Sequence, residues 1–122
     1  MPNTTVLVVD DSKVSRMMII TIIKEKKEHW NIIEAGNADE ALLACEGKDI
    51  DLCIIDYNMP GMDGLTLAGK LKERYPTIPM TLLTANVQES SKEKATAIGV
   101  EFMRKPITEE RITSILNMLI SS

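Results

Sequence analysis

Five short apolar runs recur along the chain: Val6-Leu7-Val8-Val9, Ile32-Ile33-Glu34-Ala35, Leu52-Cys53-Ile54-Ile55, Met80-Thr81-Leu82-Leu83 and Val100-Glu101-Phe102-Met103. Several are almost continuously apolar rather than alternating, which is the pattern of strands covered on both faces in a parallel sheet. Between them lie stretches of helical length. Asn37 with Glu40 three residues on, and Thr108 followed by Glu109 and Glu110, read as helix starts. The last stretch places Ile112, Ile115, Leu116 and Leu119 on one face, as a helix lying on a sheet requires. In the first stretch, Val14, Met18 and Ile22, flanked by Ile19, form the expected sheet-facing stripe, leaving Met17 and Ile20 on the opposite side as candidates for exposure. The segment 87–98 is rich in Gln, Glu, Ser and Lys and offers few apolar anchors, so its helix is expected to be the one most easily shifted. Strict β-α alternation repeated five times predicts an α/β fold with a doubly wound, five-stranded parallel sheet, because parallel strands need crossover connections.

At 122 residues the chain has the commonest size for one domain, and residues 1–122 are expected to form a single unit without an output domain. A net charge of −4, with no basic tract, argues against direct contact with nucleic acid. The apolar run at Val6 ends at Asp10 after four residues and has no charged segment before it, so neither a signal peptide nor membrane insertion is expected. Cys45 and Cys53 lack a metal-type spacing and have no histidine near them, the single histidine being His29. They read as reduced structural thiols of a cytoplasmic protein.

In a doubly wound sheet, ligands bind beyond the carboxyl ends of the strands. The residues there are Asp10 and Asp11 after the first run, Asp56 after the third, Thr84 and Ala85 after the fourth, and Lys105-Pro106 after the fifth. Taken alone, Asp10-Asp11 could simply cap the helix that begins near Ser12. Three carboxylates within about 4 Å would repel by roughly 4 kcal/mol per pair at an effective dielectric near 20. A hard, oxygen-seeking cation offsets that better than protonation does, and Mg²⁺ is usually held by one or two carboxylates with waters and a phosphate. Lys105 then supplies a mobile charge, and Thr84 a hydroxyl, for phosphoryl oxygens, in a site that works by positioning and charge neutralisation. The segment Met59-Pro60-Gly61-Met62-Asp63-Gly64 reads as a turn beside Asp56, with glycines where positive φ is needed and Asp63 as a helix cap.

Four ordered motifs, VVDDS, IIDYNMPGMDG, LLTAN and MRKP, resemble the receiver domains of two-component response regulators, in particular the single-domain chemotaxis receivers, over nearly the whole chain. The resemblance implies a flavodoxin-like (βα)5 fold with strand order 2-1-3-4-5, an order taken from the likeness and not from the pattern. It implies that Asp56 is the phosphoacceptor. Mg²⁺ would be held by Asp11, Asp56 and the Asn58 main-chain carbonyl, with Asp10 assisting through water. Thr84, the Ala85 amide and Lys105 would contact the phosphoryl group, Lys105-Pro106 would be a cis peptide, and Phe102 would be the ring that swings with Thr84, although an aromatic on an apolar strand is more often core. The implied donor is a sensor histidine kinase or a histidine phosphotransfer protein, and the implied output is control of a partner protein. The chain itself would be a monomer or a weak, phosphorylation-dependent dimer, catalysing only its own phosphoryl transfer and autodephosphorylation. An alternative role is a relay that passes the phosphoryl group on to another histidine. A phosphohydrolase resembling the haloacid-dehalogenase type would need a second aspartate where Asn58 stands, because an amide cannot move protons. A flavodoxin-like phosphate binder is disfavoured by the charge of Asp10-Asp11. Asn86 departs from the acidic residue of some chemotaxis receivers, which leaves the phosphoryl lifetime open.

Overall fold

The computed structural model of the chain describes residues 4–121, with side chains described through Met118. Five strands, β1 (Thr5–Val9), β2 (Asn31–Ala35), β3 (Leu52–Asp56), β4 (Met80–Thr84) and β5 (Glu101–Arg104), alternate with five helices. These are α1 (Lys13–Lys26), α2 (Ala38–Ala44), α3 (Gly64–Arg74), α4 (Glu89–Ala97) and α5 (Glu109–Ser121). Every strand pair is parallel, and the order across the sheet is β2-β1-β3-β4-β5.

The apolar runs do not alternate because both faces of the sheet are covered. On one face Val6, Val8, Leu52, Ile54 and Leu83 pack with Ile19 and Ile23 of α1 and with Ile112, Ile115 and Leu116 of α5. Leu119, expected on that same face of α5, lies outside the described side chains. On the other face Leu7, Val9, Cys53, Ile55 and Leu82 meet Ala41 of α2, Leu67, Ala68 and Leu71 of α3, and Ala95 of α4. Cys45 and Cys53 are free thiols within this layer.

Side-chain caps start four of the helices, relieving main-chain amides that have no intrahelical acceptor. Ser12 accepts from Ser15 N, Asn37 from Glu40 N, Asp63 from Thr66 N and Thr108 from Arg111 N. The cap of α1 is therefore Ser12 and not Asp11. Helix α4 begins at Gln88 without a side-chain cap and buries only Ser91 and Ala95, so little holds it to the sheet.

The phase of α1 differs from the sequence expectation. Val14, Met17 and Met18 are 70%, 54% and 46% exposed, whereas Ile19 and Ile23 are buried and Ile20 and Ile22 pack against the core. The unbroken run Met17-Met18-Ile19-Ile20 supports two phases about equally well. The one adopted brings Arg16, Ile19 and Ile23 inward at helical spacing, and the Arg16 side chain is anchored at the end of β1.

Candidate functional site

Beyond the carboxyl ends of β1 and β3, the carboxylates of Asp10, Asp11 and Asp56 each offer an oxygen within 4.8 Å of the others. Asp10 and Asp56 are buried and Asp11 is exposed. Asp10 is held from three sides. Its amide donates to Ala35 O at 3.1 Å, its Oδ1 accepts from Ser12 N at 2.9 Å, and its carbonyl accepts from Arg16 Nη1 at 2.6 Å. Arg16 is fixed in turn by Glu34, whose Oε1 lies 2.8 Å from Nε. Asp10 Oδ2 is left buried with no protein partner. Lys105 Nζ approaches from the end of β5, 3.1 Å from Asp56 Oδ1, as an ion pair without hydrogen-bond alignment. The Lys105-Pro106 peptide is cis.

Burial, then the Asp10 carboxylate, push the Asp56 carboxyl up to about 6, against the attraction of Lys105. Burial likewise raises Asp10, with the Ser12 amide and the charges of Lys105 and Arg16 opposing. Three carboxylates faced by one ammonium form a site that favours added positive charge. A hard cation fits the donor set: all the donors are oxygens, two are buried, and Asp10 Oδ2 lacks any other partner.

The other residues singled out from the sequence surround this edge less closely. Asn58 is exposed two residues beyond Asp56, and with Tyr57, Met59 and Asp63 it lines a depression of about 370 Å³. Thr84 is buried at the end of β4, but its hydroxyl is turned onto its own loop, donating to Asn86 O at 3.0 Å and accepting from Asn86 N at 3.2 Å. Ala85 is exposed at the start of that loop. Phe102 is half-buried on β5, its ring 5.6 Å from that of Tyr57 at 73°, an edge-to-face pair.

Besides the Arg16 anchor, two further features of this edge lay outside the sequence reading. Tyr57, next to Asp56, carries its hydroxyl to Ser91 Oγ of α4 at 2.9 Å, so the strand that bears Asp56 also tethers the weakly held helix. Gly64 is required for close approach and not for positive φ, which belongs to Gly61 at 80°. A Cβ on Gly64 would collide with the Asp56 carbonyl oxygen and lie 2.8 Å from Tyr57 Cα. The G at the helix start in MPGMDG was the available signal for the second feature; no local signal marks the Tyr57–Ser91 pair, 34 residues apart.

The doubly wound parallel sheet thus gathers an acidic trio and a lysine at the carboxyl ends of its strands, where ligands of such folds bind. Residues 6–117 match the model of the response regulator receiver domain, and the chain belongs to that family. Members of the family are signalling modules. The chain is 36% identical to the cyclic di-GMP phosphodiesterase response regulator RpfG of Xanthomonas campestris pv. campestris, over 84% of this chain and 28% of that protein. It is 34% identical to the probable transcriptional regulatory protein TcrX of Mycobacterium tuberculosis, over 95% of this chain and 49% of that one. It thus spans half or less of these relatives. The chemotaxis protein CheY4 of Vibrio cholerae superposes with a TM-score of 0.84 at 27% identity, over 95% of this chain and 98% of that one. Among the described residues no helix is long and apolar enough to cross a membrane.

Proposed function

We propose that the chain accepts a phosphoryl group on Asp56 from a phosphohistidine of a sensor kinase or phosphotransfer protein and signals by changing shape. The observation that carries this reading is the buried Asp56 carboxylate with two further carboxylates within 4.8 Å and an ammonium 3.1 Å away. A phosphoryl group joined to Asp56 exchanges one carboxylate charge for a dianion, which only a strongly cationic surrounding tolerates. Asp56 Oδ forms the new bond to phosphorus as the histidine N–P bond breaks, and the freed imidazole takes its proton from solvent. Asp11, Asp56 and the Asn58 carbonyl would hold Mg²⁺, with Asp10 beside it, and the ion would supply positive charge to offset the carboxylates and the phosphoryl oxygens. Lys105 pairs with one phosphoryl oxygen. The Ala85 amide and the Thr84 hydroxyl serve the others, and Thr84 must first release Asn86 O. That release draws the β4–α4 loop toward Asp56, and Phe102 and Tyr57 repack beside it, shifting α4. Val14, Met17 and Met18 form an exposed apolar stripe that begins three residues beyond Asp11, where any protein delivering a phosphoryl group must cover the sheet edge; we assign it to the donor. The free, buried cysteines fit the reducing cytoplasm.

Acetyl phosphate with Mg²⁺ should add one phosphoryl group, read as a single mass increment. The increment should vanish in Asp56→Asn and with excess chelator. Modification that survives the substitution would refute the assignment.

A further inference from the structure

Lys105 follows directly on β5, an edge strand whose one neighbour is β4. The Lys105 amide donates to Thr84 O at 2.8 Å. Carbonyl and amide point oppositely across a trans peptide, so the Arg104 carbonyl is directed away from β4, toward the open edge where no strand can meet it. On the other side of Lys105, Pro106 offers a carbonyl and no N–H. One side chain serves both carbonyls: Arg111 Nη1 lies 2.6 Å from Arg104 O and 3.2 Å from Pro106 O. Arg111 sits in the first turn of α5, its amide donating to Thr108 Oγ1 at 3.1 Å, one residue before the fully buried Ile112. The guanidinium therefore ties the main chain on either side of Lys105 to a helix locked into the core.

We propose that Arg111 is a positioning residue for phosphoryl recognition, clamping the two peptide carbonyls that flank Lys105 and so fixing where its ammonium stands relative to Asp56. The proposal rests on the phosphoacceptor reading above. Arg111 acts through the main-chain carbonyls it reaches and not through the carboxylates, and its charge alone is not what matters: a lysine would keep the charge but fall one atom short of the carbonyls.

The test uses the beryllofluoride anion, which mimics a carboxylate-bound phosphoryl group, followed by ¹⁹F resonance at saturating Mg²⁺. Mg²⁺ affinity is measured separately by calorimetry, and the melting temperature reports folding. Arg111→Met and Arg111→Lys should each weaken beryllofluoride binding roughly tenfold, the effect of losing one charge-assisted hydrogen bond, and leave Mg²⁺ affinity within about twofold. Unchanged beryllofluoride affinity in Arg111→Met, full affinity in Arg111→Lys, or a parallel fall in Mg²⁺ affinity would each overturn the clamp. If Arg111→Met does not fold, Arg111→Lys decides alone. Failure of the unsubstituted chain to take up beryllofluoride would overturn the phosphoacceptor reading with it, whereas uptake by the unsubstituted chain and both variants alike removes only the clamp.

Discussion

Without a divalent cation, the folded chain should lose stability as pH rises, and Asp56→Asn should remove most of that loss. The Asp56 carboxyl is raised from its ordinary 3.8 to about 6, first by burial and then by the Asp10 carboxylate. A carboxyl raised in the folded state holds its proton more tightly folded than unfolded. Its contribution to stability is therefore fully present below about pH 4, is lost between about pH 4 and 6, and stays lost above that. At about 1.4 kcal/mol per tenfold change in proton affinity, the rise from 3.8 to about 6 corresponds to a swing of about 3 kcal/mol. Urea unfolding in the presence of chelator, at intervals from acid to neutral pH, measures it. Asp56→Asn should exceed the parent chain by about 2–3 kcal/mol at neutral pH, and the gap should close toward the acid end. Mg²⁺, if held by the folded trio as proposed, should narrow the neutral-pH gap by stabilising the parent. A gap that does not vary with pH, or an Asp56→Asn variant less stable than the parent at neutral pH, would refute the electrostatic reasoning.

Gly64→Ala should cost about 2–3 kcal/mol in thermal or urea unfolding, because its methyl group meets main-chain atoms of Asp56 and Tyr57 that cannot swing aside. Tyr57→Phe should destabilise the fold by only about 1 kcal/mol but speed amide exchange across α4, since it removes the hydroxyl that reaches Ser91 and keeps the ring against Phe102. Arg16→Met should weaken Mg²⁺ binding severalfold by calorimetry, because the Asp10 carbonyl loses its 2.6 Å partner; an unchanged affinity would mean that the strand pairing and the Ser12 amide hold Asp10 unaided.

Much of the fold was legible because its signals are local. The doubly covered sheet writes itself as unbroken apolar runs, and Asn37, Asp63 and Thr108 announce helix starts through their own side chains. The gathering of Asp10, Asp11, Asp56 and Lys105 followed from topology, since parallel strands all end at the same edge. The phase of α1 was not legible, because Met17 to Ile20 fill both faces with apolar residues and only tertiary contacts choose between them. Arg16 and Arg111 escaped notice for a different reason. Their acceptors are main-chain carbonyls, which every residue carries and no sequence position marks. The Thr84 hydroxyl, expected to meet a phosphoryl oxygen once one is bound, is closed onto Asn86 in this structure, a local ring available to a threonine at a strand end that sequence reasoning did not foresee.

The exposed stripe on α1 has a consequence for cells that hold many such chains. Val14, Met17 and Met18 belong to neither core layer, while Arg16 and Ile19 on the inner side of the same helix support the acidic edge and the sheet. On the proposed docking of the donor at this stripe, insulation from the donors of parallel pathways would be rewritten in three side chains, with the Asp56 carboxylate and the groups that tune it left as they are.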